Sequence, residues 1–183
     1  MIGVSLFRRP ERPISRRRKW LAGALILVCS IGLYLLSATT IVLNGTTSLP
    51  HTAYFMVSKP RPMIRGAYVA FDPTPEVASA FQNLAFIKRI VGLEGDVVTH
   101  RDGAVCVRDE CRTLEPRMIA AGYKPAPEGP VPEGKIMVFA DAPNSIDSGY
   151  AVIGAVRHES VRAVGIPLAL PHWKEMAPWL ASR

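Results

Sequence analysis

From Trp20 to Leu43 the chain carries no charged side chain and is rich in Leu, Ile, Val and Ala. About 20 such residues cross the hydrocarbon core of a bilayer as a helix, which makes this run a candidate membrane anchor before anything else is read. Immediately upstream, residues 1–19 hold Arg8, Arg9, Arg12, Arg16, Arg17, Arg18 and Lys19 against Glu11 alone, a local charge of +6. The formal net charge of the whole chain is +7, so the remainder carries +1. A nucleic-acid reader is expected to present a basic face on its folded domain, and here the basic excess sits in a tail instead.

Basic residues packed against the start of an apolar run keep that end in the cytoplasm and send the rest across. A cleaved signal peptide shares the charged start and apolar core, with Ser37-Ala38-Thr39 as a weak cleavage site. Its apolar region is ordinarily about 7–15 residues, shorter than this one, so an uncleaved anchor is the reading taken. The organisation expected is a basic cytoplasmic tail at 1–19, a transmembrane anchor at 20–43, an exported domain at 44–170 and an amphipathic tail at 171–183. The anchor helix is expected to end near Ser37 to Thr40, where polar and β-branched residues begin. In the last segment, Trp173, Met176, Trp179 and Leu180 recur at helical spacing, fit either for the membrane interface or for packing on the domain.

The exported part reads as a mainly β, antiparallel domain behind one N-terminal transmembrane helix. Strands are expected at Gly66 to Phe71, Ala85 to Val91, Val97 to His100, Ala104 to Val107, Lys135 to Ala140, Ala151 to Val156 and Ser160 to Ile166. One or two helical turns are expected within Glu76 to Leu84. Asp102-Gly103 is a strong hairpin signal. Pro125 to Pro132 reads as an exposed loop. Cys106 and Cys111 fall where an oxidising compartment permits a disulfide, and a local bridge closing a hairpin is favoured over a metal site. The metal alternative needs more ligands, and His51, His100, His158 and His172 show no ligand spacing with these cysteines. Cys29, inside the apolar run, reads as a small packing residue.

Two positions carry chemistry. Ser48 lies just beyond the apolar run, and Lys88 stands inside the apolar sequence Phe86-Ile87-Lys88-Arg89-Ile90-Val91. A serine hydroxyl needs a neighbouring base before it attacks a carbonyl. Lysine is protonated until about pH 10.4, yet apolar burial can lower that value into the range of a general base. On a strand, Phe86, Lys88 and Ile90 share one face, which would set the amine between apolar neighbours. The plainer reading is a pair of solvated charges, Lys88 and Arg89, on an edge strand. The turn-rich stretch Asp141 to Tyr150 would by itself be an ordinary loop.

Taken together and in order, Asn44-Gly45-Thr46-Thr47-Ser48-Leu49-Pro50, Phe86 to Asp96 and Ser145-Ile146-Asp147-Ser148-Gly149-Tyr150 resemble the boxes of type I signal peptidases. The similarity is greatest to the conjugal-transfer, TraF-type branch that matures pilin precursors, and it covers most of residues 20–166. The resemblance implies a membrane-anchored serine endopeptidase with Ser48 as nucleophile and Lys88 as general base. It further implies Ser145 orienting the Lys88 amine, Asp147 organising the turn, and Thr46 completing an oxyanion hole with the Ser48 amide.

By that similarity the substrate is an exported precursor, pilin-like, cut after small residues of the Ala-x-Ala kind, and no metal or organic cofactor is needed. The setting implied is a bacterial inner membrane crossed once, with the N-terminus cytoplasmic, the catalytic domain periplasmic and the bilayer itself a partner; no nucleic acid is expected. A housekeeping signal peptidase is the near alternative, and a non-enzymatic anchored scaffold of a conjugation or secretion apparatus is the alternative outside the enzyme class. The chain departs from the family pattern at Leu49, at Thr52-Ala53-Tyr54 and at Gly149, where an arginine commonly follows the Asp-Ser pair. His51 offers a Ser-His reading, disfavoured because catalytic partners are set by geometry rather than adjacency.

Overall fold

The computed structural model describes residues 15–43, 49–51, 53–80, 84–142 and 144–168. It divides the chain into two units, residues 1–37 and 38–183. In the first, helix α1 (Arg16–Ala38) opens with the Ser15 hydroxyl accepting from the Arg18 N–H, an N-cap placement. Its apolar window has a mean hydropathy of 2.2, long and apolar enough to cross a membrane. The helix stops where Thr39, Thr40, Ile41 and Val42 bring a β-branched run that favours extended backbone. The apolar sequence from Trp20 to Leu43 therefore divides: its last five residues form strand β1 (Thr39–Leu43) of the second unit.

That unit is built of antiparallel pairs. β1 pairs with β2 (Ala53–Val57), and the chain then runs through β3 (Tyr68–Phe71), the short helix α2 (Pro75–Ala80) and β4 (Phe86–Gly92). A meander follows of β5 (Val97–Arg101), β6 (Ala104–Val107) and β7 (Glu110–Thr113), after which come helix α3 (Pro116–Ala120) and the two-residue β8 (Gly129–Pro130). β9 (Lys135–Phe139), β10 (Val156–Arg157) and β11 (Val161–Leu168) complete it. The strands form a seven-stranded sheet, ordered β1-β2-β11-β3-β4-β9-β10, and a four-stranded sheet, β7-β6-β5-β8.

Alternation accounts for most of these strands. Val69, Phe71, Ile90, Val138 and Val161 meet in one buried cluster, while Val91, Val105, Val107, Met137 and Tyr150 meet in a second between the two sheets' inward faces. Gly92 marks a shift in the β4–β9 register, and a Cβ there would sit 2.8 Å from Val107 Cγ1, so only glycine admits the close approach. The expected hairpin is present: Asp102 and Gly103 both take positive φ, the conformation this dipeptide supplies in a two-residue turn.

Two expectations need amending. Ala151 to Val156 is not a strand: the Tyr150 carbonyl accepts the N–H groups of both Ile153 and Gly154, closing a turn, and only Val156–Arg157 pairs with β9. Ile153 is buried in the core by that turn, which is why its apolar content read as a ladder. The Pro125 to Pro132 segment is not wholly loop, since Val97 and Val98 pair with Pro130 and Gly129. Strands β2 and β7 and helix α3 had no counterpart in the sequence reading. The C-terminal segment 171–183, with Trp173, Met176, Trp179 and Leu180, lies outside the described residues.

Candidate active site

Lys88 sits in the middle of β4, paired through its backbone register to Val69 of β3, while its neighbours Arg89 and Ile90 are in register with Phe139 and Val138 of β9. A central strand cannot turn both faces to water, and Lys88 is only 4 % exposed. Its ammonium nitrogen lies 5.4 Å from the centroid of the Phe86 ring, on the face that period-two alternation assigns to both residues. The amine donates to Ser145 Oγ at 2.6 Å. Burial pulls the Lys88 pKa down from 10.5 to about 8; Asp147 pulls it upward, and Arg112 adds to the lowering.

The loop that brings Ser145 to the amine is held from beneath by Asp147. This carboxylate is fully buried and accepts the N–H of Ala140 at 2.8 Å and of Gly149 at 2.9 Å, closing the ends of the loop. The Ser148 N–H donates to the Val138 carbonyl, locking the same turn onto β9. Burial pushes the Asp147 carboxyl up, opposed by the Arg112 guanidinium and by the two amide donors. Arg112 Nε lies 2.9 Å from Asp147 Oδ2, and its Nη2 donates to the carbonyls of Ala142 and Ser145 at 2.7 and 3.0 Å.

Arg112 is the residue that sequence reasoning missed. The departure at Gly149 puts in doubt only a salt bridge from that position. The guanidinium instead arrives from β7, and Arg112 Cγ lies 3.2 Å from where a Cβ on Gly149 would be, so the two positions serve the same space. Arg112 stands beside Cys111, a position that carries no local signal of this contact. Cys106 and Cys111 are bonded in the structure, closing the β6–β7 hairpin. On the other side of Cys111, Glu110 grips Arg89 through two hydrogen bonds of 2.8 and 2.6 Å, which raises the arginine's pKa and lowers the glutamate's.

Of the sequence-predicted site residues, the structure brings Lys88, Ser145 and Asp147 into one cluster, whereas Ser48 and Thr46 lie outside the described residues. Leu49 is buried with Tyr54, Tyr68, Ala70 and Ala163. His51 meets Tyr54 and Tyr68 edge-on, with ring centroids 6.3 and 6.4 Å away. A buried lysine of lowered pKa, fixed by a hydroxyl and shielded by an aromatic ring, has the properties required of a general base.

Comparison with known proteins gives one family. The model of "Signal peptidase, peptidase S26" matches residues 15–167. A probable signal peptidase I-2 of Synechocystis sp. is 42 % identical over 90 residues, which are 47 % of this chain and 39 % of that protein. The chain thus spans well under half the length of the curated relative it matches. The crystal structure of a signal peptidase I from Enterococcus faecalis aligns at 25 % identity over 57 % of this chain and 97 % of that one, with a TM-score of 0.36.

Proposed function

Because this chain belongs to the peptidase S26 signal peptidase family, we propose that it is a membrane-anchored serine endopeptidase that removes leader peptides from exported precursors. Ser48 is the nucleophile and Lys88 the general base. The Ser48 hydroxyl passes its proton to the neutral Lys88 amine as its oxygen bonds to the scissile carbonyl carbon. Thr46 and the Ser48 amide receive the oxyanion, a kind of contact worth about 3–4 kcal/mol of barrier. The Lys88 ammonium then protonates the departing amine, leaving an acyl-serine. Neutral once more, Lys88 takes a proton from water as the water oxygen bonds to the ester carbonyl carbon, and returns it to the Ser48 oxygen as the acyl bond breaks, which regenerates both groups.

One observation carries the reading: the Lys88 amine is buried, 2.6 Å from Ser145 Oγ, with its pKa lowered to about 8, so a useful fraction is neutral at the pH of the cell exterior. A second feature supports work at a lipid surface. Ile41, Phe55 and Ile166 are in register across β1, β2 and β11 and all three are exposed, forming an apolar row on one sheet face. The narrower proposal is that the precursor is a conjugative pilin; general leader processing uses the same chemistry, and rescue of a strain depleted of its housekeeping signal peptidase tells them apart. The direct test is precursor processing by Ser48→Ala and Lys88→Ala variants. Loss of cleavage in both is expected, and wild-type rates in both refute the assignment.

A further inference from the structure

We propose that Arg112, carried on the disulfide-closed hairpin, is a positioning residue for the Lys88–Ser145 pair: it holds the loop that presents Ser145 and keeps Asp147 occupied as its own partner rather than that of Lys88. The inference rests on the reading of Lys88 as a general base.

Three contacts of one guanidinium carry it. Arg112 reaches the buried Asp147 carboxylate at 2.9 Å and also donates to the carbonyls of Ala142 and Ser145, so it binds the floor of the loop and the backbone of the residue that touches the lysine. Its side chain is only 8 % exposed, so water cannot replace it without opening the loop. Asp147 and, after it, Asp141 favour the charged form of Lys88, and Arg112 acts on it with opposite effect. A buried carboxylate deprived of its guanidinium is an uncompensated charge, and the other cation that acts on Asp147 is the Lys88 ammonium. Pairing with it would favour the protonated amine, the form that cannot act as base.

The hairpin is placed to make this work. Glu110 and Arg112 flank Cys111: one grips Arg89, the chain neighbour of Lys88, and the other grips the Ser145 loop. A single short strand therefore ties together the two segments whose side chains must meet. The bridge to Cys106 fixes that strand to β6, whose Val105 and Val107 are fully buried.

The test uses the 183-residue chain in detergent micelles and a fluorogenic peptide containing an Ala-x-Ala junction, together with a 13C NMR titration of the Lys88 ε-carbon, assigned with Lys88→Ala. In Arg112→Met the Lys88 midpoint should rise by about one pH unit, the lower end of what one unpaired opposite charge nearby produces. The acid limb of kcat/KM should move with it. In Arg112→Met/Asp147→Asn that rise should disappear, because the carboxylate that captures the amine is gone. Arg112→Lys should keep the midpoint while lowering kcat, since an ammonium cannot span the carboxylate and two carbonyls as a planar fork does. Arg112→Ala/Gly149→Arg, which returns a guanidinium from the adjoining position, should restore the midpoint lost in Arg112→Ala.

An unchanged Lys88 midpoint in Arg112→Met, whatever happens to the rate, overturns the proposal. Where Arg112→Met does not fold, Arg112→Lys decides: an unaltered kcat overturns it and a lowered kcat at constant midpoint supports it. Should Ser48→Ala remain active, the peptidase reading fails, and the NMR midpoints still report separately on Arg112.

Discussion

At the scale of single residues, the structure places an energetic burden on Lys88. Its amine has a pKa of 10.5 when free and about 8 when folded. Between those values the unfolded chain binds a proton that the folded chain does not, so stability rises with pH there; below about 8 both states are protonated and the full penalty applies. A depression from 10.5 to about 8 corresponds to a penalty on the order of 3 kcal/mol. Lys88→Met should therefore be inactive yet more stable than the wild type at pH 7, with the gap closing as the pH approaches 10.5. Urea midpoints of the two proteins at both pH values check this, and an equal gap at each would contradict it. The lysine was legible in sequence because Phe86 and Ile90 stand two residues to either side of it. Arg112 was not, because nothing in a local pattern states that a residue beside a cysteine reaches a carboxylate on a distant loop.

At the scale of elements, legibility followed the length of the apolar run. β4 and β9 carry buried side chains along most of their length and were readable, and β11 was nearly so. β7 is the short polar sequence Glu110-Cys111-Arg112-Thr113, with one buried residue, and its pairing with β6 is what makes it a strand. The turn at Ala151 to Gly154 failed in the opposite sense, being apolar without being extended. The hairpin's disulfide closes a loop with a sequence separation of 5, for which chain entropy gives about 2 kcal/mol. Cys106→Ser/Cys111→Ser should lose stability of that order in a denaturant titration. Its Lys88 midpoint should rise in the same direction as in Arg112→Met, since the strand that presents the guanidinium is loosened. A variant that loses the bridge with neither change would remove the hairpin from the account.

At the scale of the whole molecule, charge and hydropathy had announced one apolar helix and a separate β-rich domain, and both are present. The β-branched residues announced the helix end near Ser37 to Thr40, and the helix stops at Ala38, but the strand that follows was not readable: Thr39–Leu43 is as hydrophobic as membrane helix, and pairing with β2 assigns it to the domain. The proposed arrangement, with a basic tail inside and the domain outside, predicts that protease added to intact spheroplasts digests the β domain and spares an epitope at the N-terminus. Protection of both would reverse or remove the anchor. In the proposed mechanism, family membership and the Lys88–Ser145 contact support one chemical requirement, a lysine that is neutral when the hydroxyl proposed as nucleophile, that of Ser48, needs a base. The pH dependence of kcat/KM for the proposed leader-peptide cleavage by the 183-residue chain reads that requirement directly. The account predicts an acid limb rising with a midpoint near 8, the value burial gives Lys88; a limb centred near the ordinary histidine value of about 6.5, or a flat profile, would contradict it.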